Sequence, residues 1–286
     1  MDINERMTGH YGHGTLEQTV MAGLDRLLAS SDDAPIDLLA SIDEFHMGGR
    51  PATREVVRKL GIDASHRVLD VGCGLGGTAR HMASEHGCQV DGVDLTAEYV
   101  EVGNALNRRI GLSGQIDLAV SDAADLPHGD KAFDRVTMLH VGMNIENKAT
   151  LFGEIARVMK PGGKFAVFDV MRLKDGAVSY PTAWASDDST SFLARPDDYR
   201  DALEGAGFGV NGKTEMASMA LQFFKMLKAR LAQGGPPPLG LHILMGQNAP
   251  TKVANMAAAV SDGLVAPVLM IAQRFGDHRR ENRSER

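Results

Sequence analysis

The chain has 286 residues, of which 43% are hydrophobic and 23% charged, and its formal net charge is −7. That balance fits a globular enzyme with one large α/β domain or two small ones, and the acidic surplus without a basic stripe argues against nucleic acid as a partner. No run reaches the ~18 apolar residues of a membrane span.

The polar start, Met1-Asp-Ile-Asn-Glu-Arg6, lacks the apolar stretch of a secretory leader, so a cytoplasmic location with no membrane partner is expected. Next comes the polar, aromatic run His10-Tyr11-Gly12-His13-Gly14. Residues 14–60 carry helical segments expected to cap the C-terminal edge of a sheet, so residues 1–60 read as an N-terminal helical cap. Within them, Asp43-Glu-Phe-His-Met-Gly-Gly-Arg-Pro-Ala-Thr53 forms a glycine turn ahead of a helix. His46 and Met47 there are candidates to touch a ligand; capping of the helix from Pro51 is the plainer alternative.

From residue 67 strand and helix signals alternate. Strands are predicted at 67–71, 89–94, 115–120, 133–139 and 164–169, with helices at 78–86, 97–109 and 147–159. Pro161-Gly162-Gly163 is expected to end the last of these helices. This βαβα rhythm predicts a parallel sheet with helices on both faces. Residues 171–194 read as a loop-rich excursion, followed by a helix at 197–204 and a strand around 208–216. Helical segments at 217–233 and 250–262 flank the rigid break Gly234-Gly-Pro-Pro-Pro238, and 266–272 reads as a final strand. The core is thus assigned to 61–175, a lid with the C-terminal strands to 176–275, and a mobile polar tail to 276–286.

The most informative stretch is Arg67-Val-Leu-Asp-Val-Gly-Cys-Gly-Leu-Gly-Gly77. A short strand breaks into a loop of Gly72, Gly74, Gly76 and Gly77, at the first strand-to-helix turn, where open α/β sheets bind nucleotides. Gly72, Gly74 and Gly77 satisfy G-x-G-x-x-G, by itself a weak signal for a dinucleotide. Asp70 changes the reading, because a carboxylate before the glycines suits a cofactor bearing a cationic amine and disfavours a pyrophosphate. Asp94 ends the second strand, where an acid can accept hydrogen bonds from ribose hydroxyls. Nicotinamide enzymes use the same device, so Asp94 alone does not choose the cofactor. Cys73, inside the loop, reads as a small residue filling a tight turn. With only Cys88 besides, neither a zinc site nor a disulfide framework is expected.

The loop resembles the D-x-G-x-G-x-G pattern of class I S-adenosylmethionine-dependent methyltransferases. In that family an Asp-Ala pair after the third strand faces the adenine, which points to Asp122 and Ala123, with Leu95 packing on the ring. The resemblance implies a Rossmann-like, seven-stranded, mostly parallel sheet. It implies S-adenosylmethionine as cofactor, with S-adenosylhomocysteine as product, held by Asp70, Gly72, Cys73, Gly74, Gly76, Asp94, Leu95, Asp122, Ala123 and Leu139. Adding Phe45-His-Met-Gly-Gly-Arg-Pro-Ala-Thr53 and Met138-Leu-His140, most of the chain is similar to the phosphoethanolamine and sarcosine/dimethylglycine N-methyltransferase group. There a tyrosine from the N-terminal segment pairs with a histidine after strand four over the acceptor; the matching positions are Tyr11 and His140.

These features lead to the expectation of methyl transfer to a small molecule, at an amine nitrogen. His140 is the candidate base for the acceptor's proton, and packing against the cofactor is its alternative role. Met143 and Trp184 join His46 and Met47 as candidate acceptor contacts. Asp187 and Asp188, beside Trp184, would repel a substrate phosphate, so unphosphorylated acceptors are expected, with Trp184 offering a cation–π face. The rivals are O-, S- or C-methylation and a non-catalytic cofactor-binding subunit. A monomer or homodimer is expected.

Overall fold

The computed structural model describes residues 15–33 and 35–276. Tyr11, with its neighbours His10 and His13, and the tail beyond Gly276 therefore lie outside the described residues.

Three helices come first: α1 (Leu16–Leu28), α2 (Pro35–Asp43) and α3 (Gly49–Leu60). The core follows as β1 (Arg67–Val71), α4 (Gly77–His86), β2 (Gln89–Asp94), α5 (Ala97–Arg109), β3 (Ile116–Val120), β4 (Phe133–Leu139), α6 (Lys148–Val158) and β5 (Met159–Arg172). After a long loop come α7 (Pro196–Gly205), β6 (Phe208–Glu215), α8 (Ala217–Gly234), α9 (Leu241–Met245), α10 (Ala249–Ser261) and β7 (Val265–Arg274). The seven strands form one sheet in the order β3-β2-β1-β4-β5-β7-β6. β1 to β5 pair in parallel, and β7 runs antiparallel to both β5 and β6. The strand order reverses between β1 and β4, and the crevice outside the strand C-termini at such a switch point is where α/β sheets place ligands.

Two apolar layers cover the sheet, as strands buried on both faces require. One gathers Phe152, Phe165, Tyr199 and Phe208 beneath α6 and α7. The other packs Val56, Leu60, Ala79 and Met82 of α3 and α4 on Val68, Val90 and Phe168. The cap is fixed to the core by more than apolar contact. Arg80 of α4 donates to Asp43 at the end of α2, and to Asn107 Oδ1 at 2.9 Å, with the Arg80 and Asp43 side chains fully buried. Removing one partner would strand a buried charge, at a cost of about 3–5 kcal/mol.

Two local expectations are corrected. The helix before Pro161 ends at Val158, and Pro161-Gly162-Gly163 lies inside the extended β5, beside the register shift where β4 and β5 pair. The glycines therefore bend a strand rather than terminate a helix. Between the break at Gly234–Pro238 and the helix expected at 250–262 lies the short helix α9, which its flanking glycines and prolines hide from the helical periodicity. Among the described residues no helix is long and apolar enough to cross a membrane, and no group of His, Cys, Asp and Glu is arranged to hold a metal ion.

Candidate functional site

A cavity of about 380 Å³ opens at the C-terminal ends of β1, β2, β3 and β4, within the range of small-ligand sites. Its wall contains Asp70, Gly72, Cys73, Gly74, Asp94, Leu95, Asp122, Ala123, Leu139 and His140. Of the ten residues expected to hold the cofactor, Gly76 alone lies outside that wall. It caps α4 with φ +84°, donates its N–H to Cys73 O at 2.8 Å, and faces Leu118. Its role is to turn the loop.

The loop is held from β2. Gly72 and Cys73 both donate backbone N–H to Val93 O, at 2.8 and 2.9 Å, and Gly74 donates to Asp94 Oδ2 at 2.9 Å. Asp94 Oδ1 accepts from Thr96 N–H at 2.8 Å. Burial outweighs these bonds and raises the Asp94 carboxyl above its ordinary value. The Thr96 hydroxyl and the Leu95 N–H also reach this carboxylate. Gly72 has φ +70°, and a Cβ there would collide with the Val141 side chain. Gly74 has φ +53° and would place a Cβ where no atom lies within 4 Å, so its bare backbone leaves cavity space open.

Asp70, 2% exposed, lies on the cavity floor. Thr137 stands opposite it in the parallel β1–β4 register and donates its hydroxyl to Asp70 Oδ1 at 2.7 Å. Oδ2 has no partner among the described residues. Burial pushes the Asp70 carboxyl up to about 7. An orphaned, buried carboxylate oxygen facing a cavity is suited to a cationic donor. Burial also drives the Cys73 thiol well above its ordinary value, so no thiolate forms there.

A second, smaller cavity of about 50 Å³ adjoins the first, and Phe45, His46 and His140 line both. Its remaining wall is Met47, Met143, Ala183, Trp184, Phe223, Phe224, Leu241, Met245 and Met256. Among the described residues no Asp, Glu, Lys or Arg lines it. Trp184 is buried, and its indole N–H donates to Ser191 Oγ at 3.0 Å. Asp187 and Asp188 do not reach this wall: both are exposed, on a turn where Asp187 Oδ1 accepts from Ser189 N–H. The expected repulsion of a substrate phosphate by these two acids therefore has no geometric basis.

His140 stands at the junction but not as a poised base. It holds φ +56°, in the left-handed region, and its N–H donates to Phe168 O at 2.7 Å. Ring Nε2 accepts from Met47 N–H at 3.2 Å, which leaves Nδ1 to carry the proton and donate to Phe168 O at 3.3 Å. Burial drives the ring down to about 3. Both nitrogens are committed, so in this structure the ring ties the cap to β4 and β5.

His46 is embedded in polar groups instead. Nε2 lies 3.0 Å from Glu44 Oε2 and 2.9 Å from Thr53 Oγ1, Thr53 donates its hydroxyl to Glu44, and Glu44 ion-pairs with Arg50. Burial would raise the Glu44 carboxyl, yet His46, Arg50 and Thr53 together hold it below its ordinary value. The sequence alone does not single out Glu44, Arg50 or Thr53. A signal for them exists, since all three lie in or beside the glycine turn that carries His46. Thr137 is likewise absent from the sequence reading, although its register opposite Asp70 follows from the two adjacent parallel strands.

Residues 69–167 match the family model of a methyltransferase domain. The chain is 29% identical over 181 residues to methyltransferase GfsG of Streptomyces halstedii, covering 62% of this chain and 65% of that protein. It is 35% identical over 125 residues to phosphoethanolamine N-methyltransferase 1 of Arabidopsis thaliana, covering 44% of this chain and 25% of that one. The matches thus span less than two thirds of either relative's length. The fold is similar to that of Haemonchus contortus phosphoethanolamine N-methyltransferase 2, solved with phosphomonomethylethanolamine and S-adenosylhomocysteine. There the TM-score is 0.70 at 22% identity, covering 89% of this chain and 59% of that one. Other relatives are named for transfer to oxygen or to carbon.

Proposed function

We propose that this chain, a class I S-adenosylmethionine-dependent methyltransferase, acts on a compact and largely apolar small molecule. The observation that carries the reading is the junction of two unlike cavities at Phe45, His46 and His140. S-adenosylmethionine, when bound, supplies an electrophilic methyl group on a sulfonium. The residues present fit that cofactor: Asp70 offers an unpartnered buried oxygen for a cationic amine, and Gly74 leaves room beside it. Asp94 lies in the cavity wall where an acid can meet ribose hydroxyls, and Asp122, Ala123 and Leu95 line the same cavity for the adenine.

The acceptor would sit in the apolar cavity, its reacting atom at the histidine junction. Such a site excludes water and holds the nucleophile in place, which supplies much of the catalysis in a displacement. The methionine side chains of the wall are flexible enough to repack around a guest larger than the cavity's present volume. A cationic amine would enter this cavity without any carboxylate to meet it, and an unpaired buried charge is costly. The amine nitrogen expected from sequence is therefore the weaker reading, and a neutral acceptor the stronger.

The test is S-adenosylhomocysteine release across a panel of neutral alcohols and phenols, unphosphorylated amines and phosphoethanolamine. Turnover is expected with neutral apolar acceptors, and calorimetry should show binding of S-adenosylmethionine but not of NAD. Robust methylation of phosphoethanolamine would overturn the reading.

A further inference from the structure

The loop between β5 and α7 lends side chains to both cavities, Trp184 to the smaller and Phe192 to the larger. Both are tied to the turn after β4, where Gly142–Asn144 form a 3₁₀ helix. Phe192 N–H donates to Met143 O at 2.7 Å. Asn144 Nδ2 donates to Trp184 O at 2.6 Å and to Thr190 O at 3.1 Å. Behind the turn stand Lys148, Asp169 and Tyr199, all buried and all outside both cavities. Tyr199 donates its hydroxyl to Asp169 Oδ2 at 2.6 Å, Val170 N–H donates to Oδ1 at 2.9 Å, and Met143 N–H also donates to this carboxylate. Lys148 donates to Ile145 O and, at 3.1 Å, to Phe192 O, with its ammonium 5.3 Å from the centre of the Tyr199 ring.

These contacts close a circuit from Asp169 through Met143, Phe192, Lys148 and Tyr199 back to Asp169. Gly142 lets the turn press against it, since a Cβ there would stand 2.4 Å from Asp169 Oδ2 and 2.8 Å from Tyr199 Oη. Burial pushes the Asp169 carboxyl up to about 6 and lowers the Lys148 ammonium, and the charge of each opposes the other's shift. Apolar side chains of similar volume would stabilise such a spot as well or better. What the charged groups add is direction, because the backbone groups they meet on Met143, Ile145 and Phe192 belong to cavity walls.

We propose that Lys148 and Asp169 are positioning residues for acceptor binding: they hold the 184–192 segment against Met143 and so keep the apolar wall closed around its guest. The effect on the acceptor rests on the methyl-transfer reading above; the hold on the segment does not. Lys148→Met keeps the side chain's stem and removes the bonds to Ile145 and Phe192. Tyr199→Phe removes only the hydroxyl that meets Asp169 and is the milder variant.

The deciding measurement needs no acceptor. Amide hydrogen exchange of the full chain at pH 8, where Asp169 is ionised, reads the opening of each segment separately. In Lys148→Met, exchange across 184–192 should speed up roughly tenfold or more while β1 to β4 stay unchanged, because charged hydrogen bonds local to that segment are lost. Trp184, the only tryptophan, should become accessible to acrylamide in step. Tyr199→Phe should shift both readouts in the same direction by a smaller factor. In the wild-type chain the Met143 and Phe192 amides should exchange as one unit, which decides the matter even if a variant fails to fold. Unchanged exchange at 184–192, or an equal rise throughout the chain, would overturn the proposal, as would independent opening of those two amides. With any acceptor the wild-type chain methylates, Lys148→Met should raise KM about tenfold or more and lower kcat less than about threefold. A fall in kcat at unchanged KM would reduce the two residues to general stabilisers and also overturn it. If no acceptor in the panel is turned over and S-adenosylmethionine does not bind, the methyl-transfer reading fails, and the exchange result still decides whether the circuit holds the segment.

Discussion

The two halves of the junction are built by different means. The polar half hangs from the C-terminal ends of neighbouring parallel strands, so Asp70, Asp94 and Asp122 take their places from strand register and one glycine loop. The apolar half is gathered from α8, α9, α10, the loop before α7 and the turn ahead of α3, segments that are distant in sequence. A half fixed by register tolerates little change at any one position. A half assembled from flexible methionine and aromatic side chains can be rebuilt without disturbing the fold. The difference predicts where substitutions are felt most.

The largest effect is expected at Asp70, and its sign is opposite for stability and for function. Burial holds this carboxyl up at about 7 in the folded chain, whereas an unfolded chain releases the proton near the ordinary carboxylate value of 3.8. Between those values the folded state binds the extra proton, so this residue's contribution to stability falls as pH rises through the window and stays lost above it. At about 1.36 kcal/mol per pH unit the penalty at pH 8 is on the order of 4 kcal/mol. Asp70→Asn should therefore raise the melting temperature at pH 8 and change it little at pH 4, while cofactor affinity collapses. A variant with unchanged thermal stability across that range would show that Asp70 is not held protonated by burial.

Asp94 comes next. Asp94→Ala removes the acceptor for the Gly74 N–H of the loop and the Thr96 N–H at the start of α5, as well as the carboxylate proposed to meet the ribose. Affinity for S-adenosylmethionine should fall by roughly 2–3 kcal/mol, about 30- to 150-fold. Unchanged affinity by calorimetry would remove Asp94 from the site.

The same contrast explains why the polar half is legible in the amino-acid sequence and the apolar half is not. Strand alternation, the glycine loop and the acids at strand ends are local signals, and they locate β1 to β4 and the polar half to within a residue, whereas β5, expected at 164–169, runs Met159–Arg172. Pro161-Gly162-Gly163 misleads because the same residues that stop a helix also mark a bulge in a strand. The apolar half is illegible for another reason: nothing local distinguishes Phe223, Met245 or Met256 from ordinary core residues until the chain folds them onto one wall. His140 is legible as a position but not as a wiring, since only tertiary hydrogen bonds to Met47 and Phe168 show that both of its nitrogens are spent.

That wiring gives the third prediction. His140→Ala breaks the ring's bonds to Met47 N–H and Phe168 O, which should cost about 1–2 kcal/mol of stability. Turnover should fall through loss of cap position, with the pH dependence of the remaining activity unaltered. A change in the shape of the pH–rate profile would mean that His140 moves a proton after all, against the hydrogen bonds that hold it.

The smallest effect is expected where the sequence suggests electrostatic selection. Asp188 is exposed on the turn after Trp184 and lies outside both cavities. Surface charges of this kind contribute less than about 0.5 kcal/mol and are screened by salt. Asp188→Asn should leave stability, cofactor affinity and the ranking of acceptors unchanged at physiological ionic strength. If phosphoethanolamine became an acceptor in that variant, the turn would have to swing inward during catalysis. Selection against phosphate would then belong to charge on the lid, and not to the absence of any cation from the apolar wall. If the ranking holds, discrimination lies with the wall itself, where a dianion would lose its hydration against Met143, Trp184 and Phe224 with no basic partner to replace it.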